Sequence, residues 1–277
     1  MFKLNIEDKN HKIYSFFNEN GTGFKIVQTR GGIVSELNFE GKEIIHKDDK
    51  GILNSAGKIR GGIPFLFPVC GSLKNTPFKS HGFSRDLPFT VEDTYVNQDQ
   101  AGIKITQNES KESLQVFPYK FTAEIWYQIQ DKAFEIKTRF TNNDDKEFMF
   151  FAGFHPYFEI LDKDKGSIEI KIPSKKTIDV FGNFNGAYDF NEDEVNVIHQ
   201  DLTKNNLEII DKGRGTNIEV EYSKEYKNIV VWALKGKDFV CVEPWMAYME
   251  ELSVKNGAVL LKPSESIEMN FIIKVNA

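Results

Sequence analysis

Residues 121–129 read F-T-A-E-I-W-Y-Q-I, and residues 134–140 read F-E-I-K-T-R-F. Every second residue of each stretch is apolar on one face, which is the period of a half-buried β-strand. The same alternation recurs in three more stretches and is weaker in a fourth, and turn-forming residues separate them. These stretches are residues 218–222, 229–234 and 267–275, with residues 167–172 as the weaker candidate. Helical periodicity is nearly absent, with residues 246–252 as one candidate short helix, so the sequence predicts an all-β chain.

The length of the chain limits the number of architectures that are possible. At 277 residues, with 40% hydrophobic and 27% charged residues, it has the composition of an ordinary globular protein with a large core. It is too long for one small barrel, and no low-complexity stretch marks a linker. We therefore expect one domain over residues 1–277, built as a large antiparallel β-sandwich.

Charge and cysteine content exclude several classes of partner. A net charge of −6 argues against a general nucleic-acid surface. Residues 1–12 lack the apolar core of a secretory signal, and no apolar run approaches the length of a membrane helix. Cys70 and Cys241 lie far apart and form no C-x-x-C motif. We expect a reduced, cytoplasmic protein that binds no membrane, with both thiols acting as buried hydrophobes.

The stretch at residues 238–245, D-F-V-C-V-E-P-W, places a carboxylate after an apolar strand. Pro244 cannot donate to a ladder, so the strand is expected to end at Glu243, which is followed by Trp245. A carboxyl group packed against apolar side chains is partly desolvated, and desolvation raises its pKa. Glu243 is thus a candidate general base, and the alternative is an exposed glutamate at a strand end.

The segment at residues 58–71, K-I-R-G-G-I-P-F-L-F-P-V-C-G, combines paired glycines and two prolines with an apolar run. It predicts a rigid loop that leads into a buried strand, with Arg60 at its mouth. A guanidinium in this position can bind a carboxylate, a phosphate or sugar hydroxyls. The alternative is an arginine that caps carbonyl groups of its own protein.

The segment at residues 80–88, S-H-G-F-S-R-D-L-P, contains His81 and Arg85 four positions apart. In an extended chain both side chains point to the same side, and Gly82 permits close approach of the backbone. His81 is a candidate hydrogen-bond donor and Arg85 a candidate clamp for an anion or a hydroxyl group. The alternative is a surface ion pair between Arg85 and Asp86.

The segment at residues 148–158, F-M-F-F-A-G-F-H-P-Y-F, surrounds His155 with aromatic side chains. A buried imidazole is costly unless its nitrogens are satisfied. Pro156 holds the preceding backbone extended, so the direction of the His155 side chain is well defined. His155 is a candidate general acid if a carboxylate lies nearby, and Glu243 is the candidate carboxylate.

These four segments, in this order, resemble the aldose 1-epimerase (mutarotase) family, which has the galactose-mutarotase-like fold. The likeness is to the bacterial aldose 1-epimerase homologues and the hexose-6-phosphate mutarotases, and it spans about residues 20–275. V-W at residues 231–232 and L-K-P-S-E at residues 261–265 fit the same family. The resemblance implies a β-supersandwich with a sugar cleft across one sheet.

The resemblance also implies roles for individual residues. Glu243 takes the proton of the anomeric hydroxyl, and His155 donates a proton to the ring oxygen, with acid and base on opposite sides of the hemiacetal. His81, Arg60 and Arg85 hold the sugar, and the reaction needs neither a metal nor a redox cofactor. In a pH profile, the acidic limb is then expected from Glu243 and the basic limb from His155.

Two departures from the family pattern affect the substrate. The family often has an aspartate between the acid and the base that binds sugar hydroxyls, and Asp189 and Asp193 are the candidates in this chain. Ser80 precedes His81, where the phosphate-sugar relatives often carry glutamine. The substrate is therefore a free aldohexose or a hexose 6-phosphate, and the oligomeric state is left open.

Two other functional classes compete with a mutarotase. A non-catalytic carbohydrate-binding protein of the same fold would need neither His155 nor Glu243. A glycosidase would need two carboxylates, and Glu243 is the one carboxylate of these motifs in a specific setting.

Overall fold

The computed structural model describes residues 1–54, 57–182, 184–248, 252–253 and 257–276. Within these residues short helices are few: α1 (Asp49–Ile52), α2 (Lys111–Leu114) and 3₁₀ helices at Ser84–Asp86 and Asp162–Ser167. The strands are β1 (Lys3–Asp8), β2 (Lys12–Phe17), β3 (Gly23–Val27), β4 (Ile33–Phe39), β5 (Lys42–Glu43), β6 (Phe65–Leu66), β7 (Thr90–Val96), β8 (Gln100–Asn108), β9 (Phe121–Gln130), β10 (Ala133–Asn142), β11 (Phe148–Phe150), β12 (Gly153–Phe154), β13 (Tyr157–Glu159), β14 (Ile168–Lys171), β15 (Ser174–Asp179), β16 (Glu194–Leu202), β17 (Asn206–Asp211), β18 (Thr216–Tyr222), β19 (Asn228–Leu234), β20 (Phe239–Trp245), β21 (Val259–Leu261) and β22 (Ser266–Asn276).

The strands predicted from alternation are present. In β9 and β10 buried positions alternate strictly with more exposed ones over ten residues each. The two strands pair in antiparallel register, with Ile125 opposite Thr138. The stretches predicted around residues 218, 229 and 267 lie in β18, β19 and β22, and the weaker candidate lies in β14.

The strands form two large antiparallel sheets and two smaller ones. An eight-stranded sheet has the order β14-β17-β18-β22-β10-β9-β8-β7. A seven-stranded sheet has the order β15-β16-β19-β20-β12-β6, and β13 pairs with β20 beside it. A five-stranded sheet runs from β1 to β5, and β11 pairs with β21.

Aromatic side chains join the sheets into a sandwich. Phe154 of β12 packs on Phe271 of β22, with ring centroids 5.0 Å apart, which connects the seven-stranded and eight-stranded sheets. Phe24 of β3 packs on Phe134 of β10, also at 5.0 Å, so the five-stranded sheet covers the same face of the large sheet. The predicted all-β antiparallel sandwich is therefore confirmed, and the prediction of a single domain stays a prediction.

β20 differs from the expected strand at its carboxyl end. It continues through Pro244, which lies opposite Ile229 of β19, to Trp245. On its other side the sheet is interrupted between β12 and β13, at residues 155–156. A residue without an N–H is tolerated at such an interruption, because no ladder bond is lost there. The strand therefore does not end at Glu243, as the sequence alone suggested.

Two remaining expectations concern helices. Of the candidate helix at residues 246–252, residues 249–251 lie outside the described residues. None of the helices in the described part of the chain has the length and apolar content needed to cross a bilayer.

Candidate active site

Three neighbouring strands of the seven-stranded sheet carry the centre of the site. Glu243 of β20 lies opposite Val230 of β19, and Trp232 of β19 lies opposite Asn196 of β16. These side chains line one cavity of 510 Å³, together with His155, His81 and Arg60 from the loops above the sheet. Because β-strand side chains alternate in direction, this face is opposite to the one that packs in the sandwich core.

Glu243 is a buried carboxylate at the bottom of the cavity, with 1% exposure. Its Oε2 accepts a hydrogen bond from the Trp245 indole Nε1–H at 3.1 Å. Burial raises the pKa of the Glu243 carboxyl well above its ordinary value, and this indole donor and Arg85 act in the opposite direction. The desolvation expected from the sequence is thus present, and a carboxyl group with a raised pKa is suited to general-base catalysis.

His155 lies in the interruption between β12 and β13, where its backbone N–H donates to the Pro64 carbonyl. The imidazole is buried and stacks on Tyr157, with ring centroids 4.6 Å apart. Its Nε2 lies 3.4 Å from Glu243 Oε1. Burial lowers the pKa of His155 well below its ordinary value, and the neighbouring His81 and the positive charge of Arg85 add to this effect. The two residues predicted to be acid and base therefore face each other directly.

His81 is held in one tautomer by the backbone. Its Nδ1 accepts a hydrogen bond from the Gly71 N–H at 3.0 Å, so the proton of the neutral ring resides on Nε2. Burial, followed by the charges of Arg85 and Arg60, lowers the pKa of His81 to about 3. The ring lies 5.4 Å from His155, measured between centroids. His81 therefore presents a neutral N–H donor, as expected for a residue that binds hydroxyl groups.

Arg60 is held by an aromatic platform. Its guanidinium carbon lies 4.9 Å from the centre of the Trp232 ring, within the range of a cation–π contact. The Trp232 indole Nε1–H donates in turn to Glu194 Oε1 at 2.6 Å. The Arg60 backbone N–H donates to Asp48 Oδ2 at 2.7 Å. Arg60 lines the cavity, and its predicted role in binding a ligand stays a prediction.

Arg85 reaches the site through a conformation that differs from the expected extended segment. It lies in the 3₁₀ helix Ser84–Asp86, and His81 has a left-handed φ of 68°. The neighbouring Gly82 is needed because a Cβ there would lie 2.1 Å from the Phe67 carbonyl oxygen, so the close approach is to the protein itself. Arg85 Nη2 donates to the Ser80 carbonyl at 3.1 Å. These contacts fix a turn at residues 80–86, and the predicted extended conformation of this segment is wrong.

A second cavity of 630 Å³ adjoins the first and shares Arg60, His81 and His155 with it. Arg85 lines this second cavity. Asp86, which the alternative interpretation paired with Arg85, instead forms an ion pair with Arg30 at 2.8 Å. Burial lowers the pKa of the Arg85 guanidinium, but a guanidinium stays charged at neutral pH.

The hydroxyl-binding aspartate is placed differently from the prediction. Asp189 is exposed and is not among the residues that line either cavity, and its Oδ1 accepts two hydrogen bonds from Asn191. Between His155 and Glu243 in the chain, the polar residues described as lining the first cavity are Asn196 and Trp232. Asn196 Oδ1 is buried without a hydrogen-bond partner among the described residues. The period-2 pattern of residues 194–198 was the signal that could have pointed to Asn196.

A thiol lies beside the acid–base pair. The nearest donor atoms of Cys241, His155 and Glu243 lie within 4.8 Å of one another. Burial raises the pKa of the Cys241 thiol well above its ordinary value, and the Glu243 carboxylate adds to this effect. Arg60, which lines the same cavity, further disfavours a divalent cation there. Cys70 and Cys241 are both free and buried, as expected for small hydrophobes.

Known structures share this fold over the whole chain. The Slr1438 protein of Synechocystis sp. PCC 6803 superposes with a TM-score of 0.86 at 28% sequence identity, covering 100% of this chain and 96% of that one. A galactose mutarotase-like protein of Clostridium acetobutylicum superposes with a TM-score of 0.79 at 21% identity, covering 99% and 98%. The fold is therefore that of the galactose mutarotase-like proteins.

Sequence comparison gives the same relationship. A protein of Cenchrus ciliaris, provisionally named a glucose-6-phosphate 1-epimerase, is 25% identical over 170 residues, which is 58% of this chain and 50% of that protein. The model of the aldose 1-epimerase family matches residues 12–274. The chain therefore belongs to the aldose 1-epimerase family.

Proposed function

We propose that this protein interconverts the α and β anomers of an aldohexose, which is a mutarotase activity. The observation that carries the proposal is the 3.4 Å approach of His155 Nε2 to Glu243 Oε1 at the wall of a cavity. A hemiacetal carbon bears both the hydroxyl group that loses a proton and the ring oxygen that gains one. An acid and a base that lie side by side can exchange protons with both oxygens. The resemblance had instead implied an acid and a base on opposite sides of the hemiacetal.

In the proposed reaction, Glu243 and His155 together hold one proton both before and after the ring opens. Glu243 carboxylate takes the proton of the anomeric hydroxyl while protonated His155 donates to the ring oxygen, and the bond from C1 to the ring oxygen breaks. The pair then consists of protonated Glu243 and neutral His155 beside an open-chain aldehyde. Rotation about C1–C2 exposes the other face of the carbonyl group. Ring closure reverses both proton transfers and restores the starting pair.

The direct test is anomer exchange by NMR or polarimetry with a panel of glucose, galactose and glucose 6-phosphate. We expect at least one of these sugars to equilibrate faster than the uncatalysed rate in proportion to enzyme concentration. Saturable sugar binding without faster exchange would instead support the non-catalytic carbohydrate-binding alternative.

The pH dependence should reflect the buried pair rather than ordinary side chains. The pKa of Glu243 is raised and that of His155 is lowered, and we propose that these opposite shifts carry the pKa of Glu243 above that of His155, so that the pair holds one proton at neutral pH. Below the lowered pKa the pair gains a second proton and Glu243 cannot accept one. Above the raised pKa it loses its only proton and His155 cannot donate. We expect a kcat/KM plateau through neutral pH that falls at both ends.

The proposed order of pKa values reverses the limbs expected from the sequence, because His155 would govern mainly the acidic limb and Glu243 the basic one. The measurement is kcat/KM against pH in buffers of constant ionic strength. A narrow bell confined between about pH 4.3 and pH 6.5, the ordinary values of the two groups, would contradict the reversed order.

A hexose 6-phosphate is the second candidate substrate, and the second cavity favours it. Five cationic side chains line this cavity, against the one carboxylate of Asp86: Arg30, Lys58, Arg60, Lys79 and Arg85. Because the overall charge of the protein is −6, any attraction for a phosphate must come from such a local cluster. The provisional name of the Cenchrus ciliaris relative agrees with this candidate.

Arginine substitutions separate the two substrates. If the phosphate sugar is preferred, Arg60→Ala or Arg85→Ala should each cost it about 1.5–3 kcal/mol in kcat/KM, the range for hydrogen bonds to charged groups. Neutral glucose should lose less, and the preference should shrink as salt is raised. Arg139→Ala is the matched control, because Arg139 is an exposed arginine of β10 outside both cavities. Equal losses for glucose and glucose 6-phosphate would mean that the arginines bind hydroxyl groups or hold the loop.

A further inference from the structure

We propose that Trp245 is a positioning residue whose indole N–H anchors one oxygen of Glu243 and leaves the other oxygen free to act as the base. The inference rests on the proposed function for its kinetic consequence. The hydrogen bond itself is a property of the folded protein and can be tested without a substrate.

The two oxygens of Glu243 have different surroundings. Oε2 accepts the Trp245 Nε1–H at 3.1 Å, whereas Oε1 lies 3.4 Å from His155 Nε2. Glu243 and Trp245 are two residues apart in β20, so their side chains project from the same face of the sheet. Both are buried, with exposures of 1% and 5%. The carboxyl group therefore has one oxygen directed to its own strand neighbour and one directed to the acid.

The indole is held by close contacts with glycine residues. A Cβ on Gly153 would lie 2.9 Å from Trp245 Cδ1, and a Cβ on Gly71 would lie 3.4 Å from Cζ3. A side chain at residue 153 of β12 would therefore crowd the ring, whereas one at residue 71 would come into ordinary contact with it. Tyr248 stacks nearly parallel to the indole at 6.1 Å, with an interplanar angle of 20°. The donor is thus placed before a substrate binds, and it needs no reorganisation during the reaction.

Several titratable groups face Glu243 from the elements packed against β20. They are His155 in the strand interruption, Tyr157 of β13, Cys70 next to Gly71, Cys241 on β20 itself, and Arg85 in the 3₁₀ helix. Among the described contacts of the Glu243 side chain, the Trp245 indole provides the neutral N–H donor. A neutral donor stabilises the carboxylate at every pH at which the protein is folded, whereas a titrating neighbour does not.

The test is Trp245→Phe, which keeps an aromatic ring and removes the N–H. The titration midpoint of the Glu243 carboxyl, followed by ¹³C NMR and assigned by its absence in Glu243→Gln, should rise by about one to two pH units. In an active enzyme, kcat should fall about 10-fold or more, because less of the one-proton pair has an ionised Glu243. KM should change little, and the basic limb of the pH profile should move to higher pH.

Two comparisons distinguish positioning from a merely structural role. Trp126→Phe removes an indole N–H from β9, on the eight-stranded sheet, and should leave the Glu243 midpoint and kcat unchanged. In a Glu243→Gln background, Trp245→Phe should cause no further loss of kcat, because the proposed effect acts through the carboxyl group.

The outcomes separate this inference from the proposed function. If no sugar is interconverted but the midpoint still rises in Trp245→Phe, the anchoring role stands and the mutarotase proposal fails. If the wild type is active and Trp245→Phe changes neither the midpoint nor the basic limb, the anchoring role is wrong, whatever the loss of kcat.

Discussion

Glu243→Gln should lower kcat for anomer exchange by about 10²–10⁴-fold, the usual contribution of a positioned general base. Glutamine has nearly the shape of glutamate, and its amide oxygen can still accept the Trp245 indole N–H that Glu243 Oε2 accepts at 3.1 Å. Its other terminal group is an NH₂, which cannot take a proton from the anomeric hydroxyl. The loss should therefore lie in the chemical step and not in folding.

The measurement is anomer exchange at saturating sugar, with thermal unfolding followed in parallel. Glu124→Gln is the matched control, because Glu124 is a half-buried carboxylate of β9 that pairs with Lys104 at 2.6 Å, away from both cavities. It should keep wild-type kcat. Wild-type exchange in pure Glu243→Gln would remove Glu243 from the role of base.

His155→Asn should remove most activity, again by about 10²–10⁴-fold in kcat, with little change in sugar affinity. Asparagine keeps a polar side chain but cannot deliver a proton to the ring oxygen. His81, Arg60 and Asn196 line the same cavity and are unaltered, so the sugar contacts proposed for them should persist.

Affinity can be measured by isothermal titration or by tryptophan fluorescence, since Trp232 and Trp245 line the cavity. His46→Asn is the control: His46 is a half-buried histidine bonded to Glu159 and lies outside the cavity. It should leave kcat unchanged. A proportional loss of affinity and kcat in His155→Asn would make His155 a binding residue, and an unchanged kcat would remove it from catalysis altogether.

The pattern of residues within single short segments was sufficient to predict many of the strands and the family of this protein. Alternation at residues 121–129 and 134–140 predicted β9 and β10, because a half-buried strand exposes every second side chain whatever it pairs with. The burial of β20 was also readable from its run of apolar residues, and Trp245, two positions after Glu243, lies on the same face and contacts its carboxyl group. The family followed from motifs that are each only a few residues long.

Other features required contacts between segments that are distant in the chain. Pro244 fits inside β20 because residues 155–156 interrupt the neighbouring strand, which no local pattern indicates. Asn196, rather than Asp189, lines the cavity because β16 pairs with β19 in a register that places Asn196 opposite Trp232. A shift of one residue in that register would turn Asn196 to the other face of the sheet.

The acid–base pair shows most clearly which features the sequence predicts and which depend on the tertiary structure. The residue types and their order in the chain predict an imidazole acid and a carboxylate base. Their 3.4 Å separation, and the opposite shifts of their pKa values, arise because the 87 residues between them fold back to bury both groups together. Desolvation depends on everything packed around a group, and so it is a property of the assembled sheets rather than of any segment.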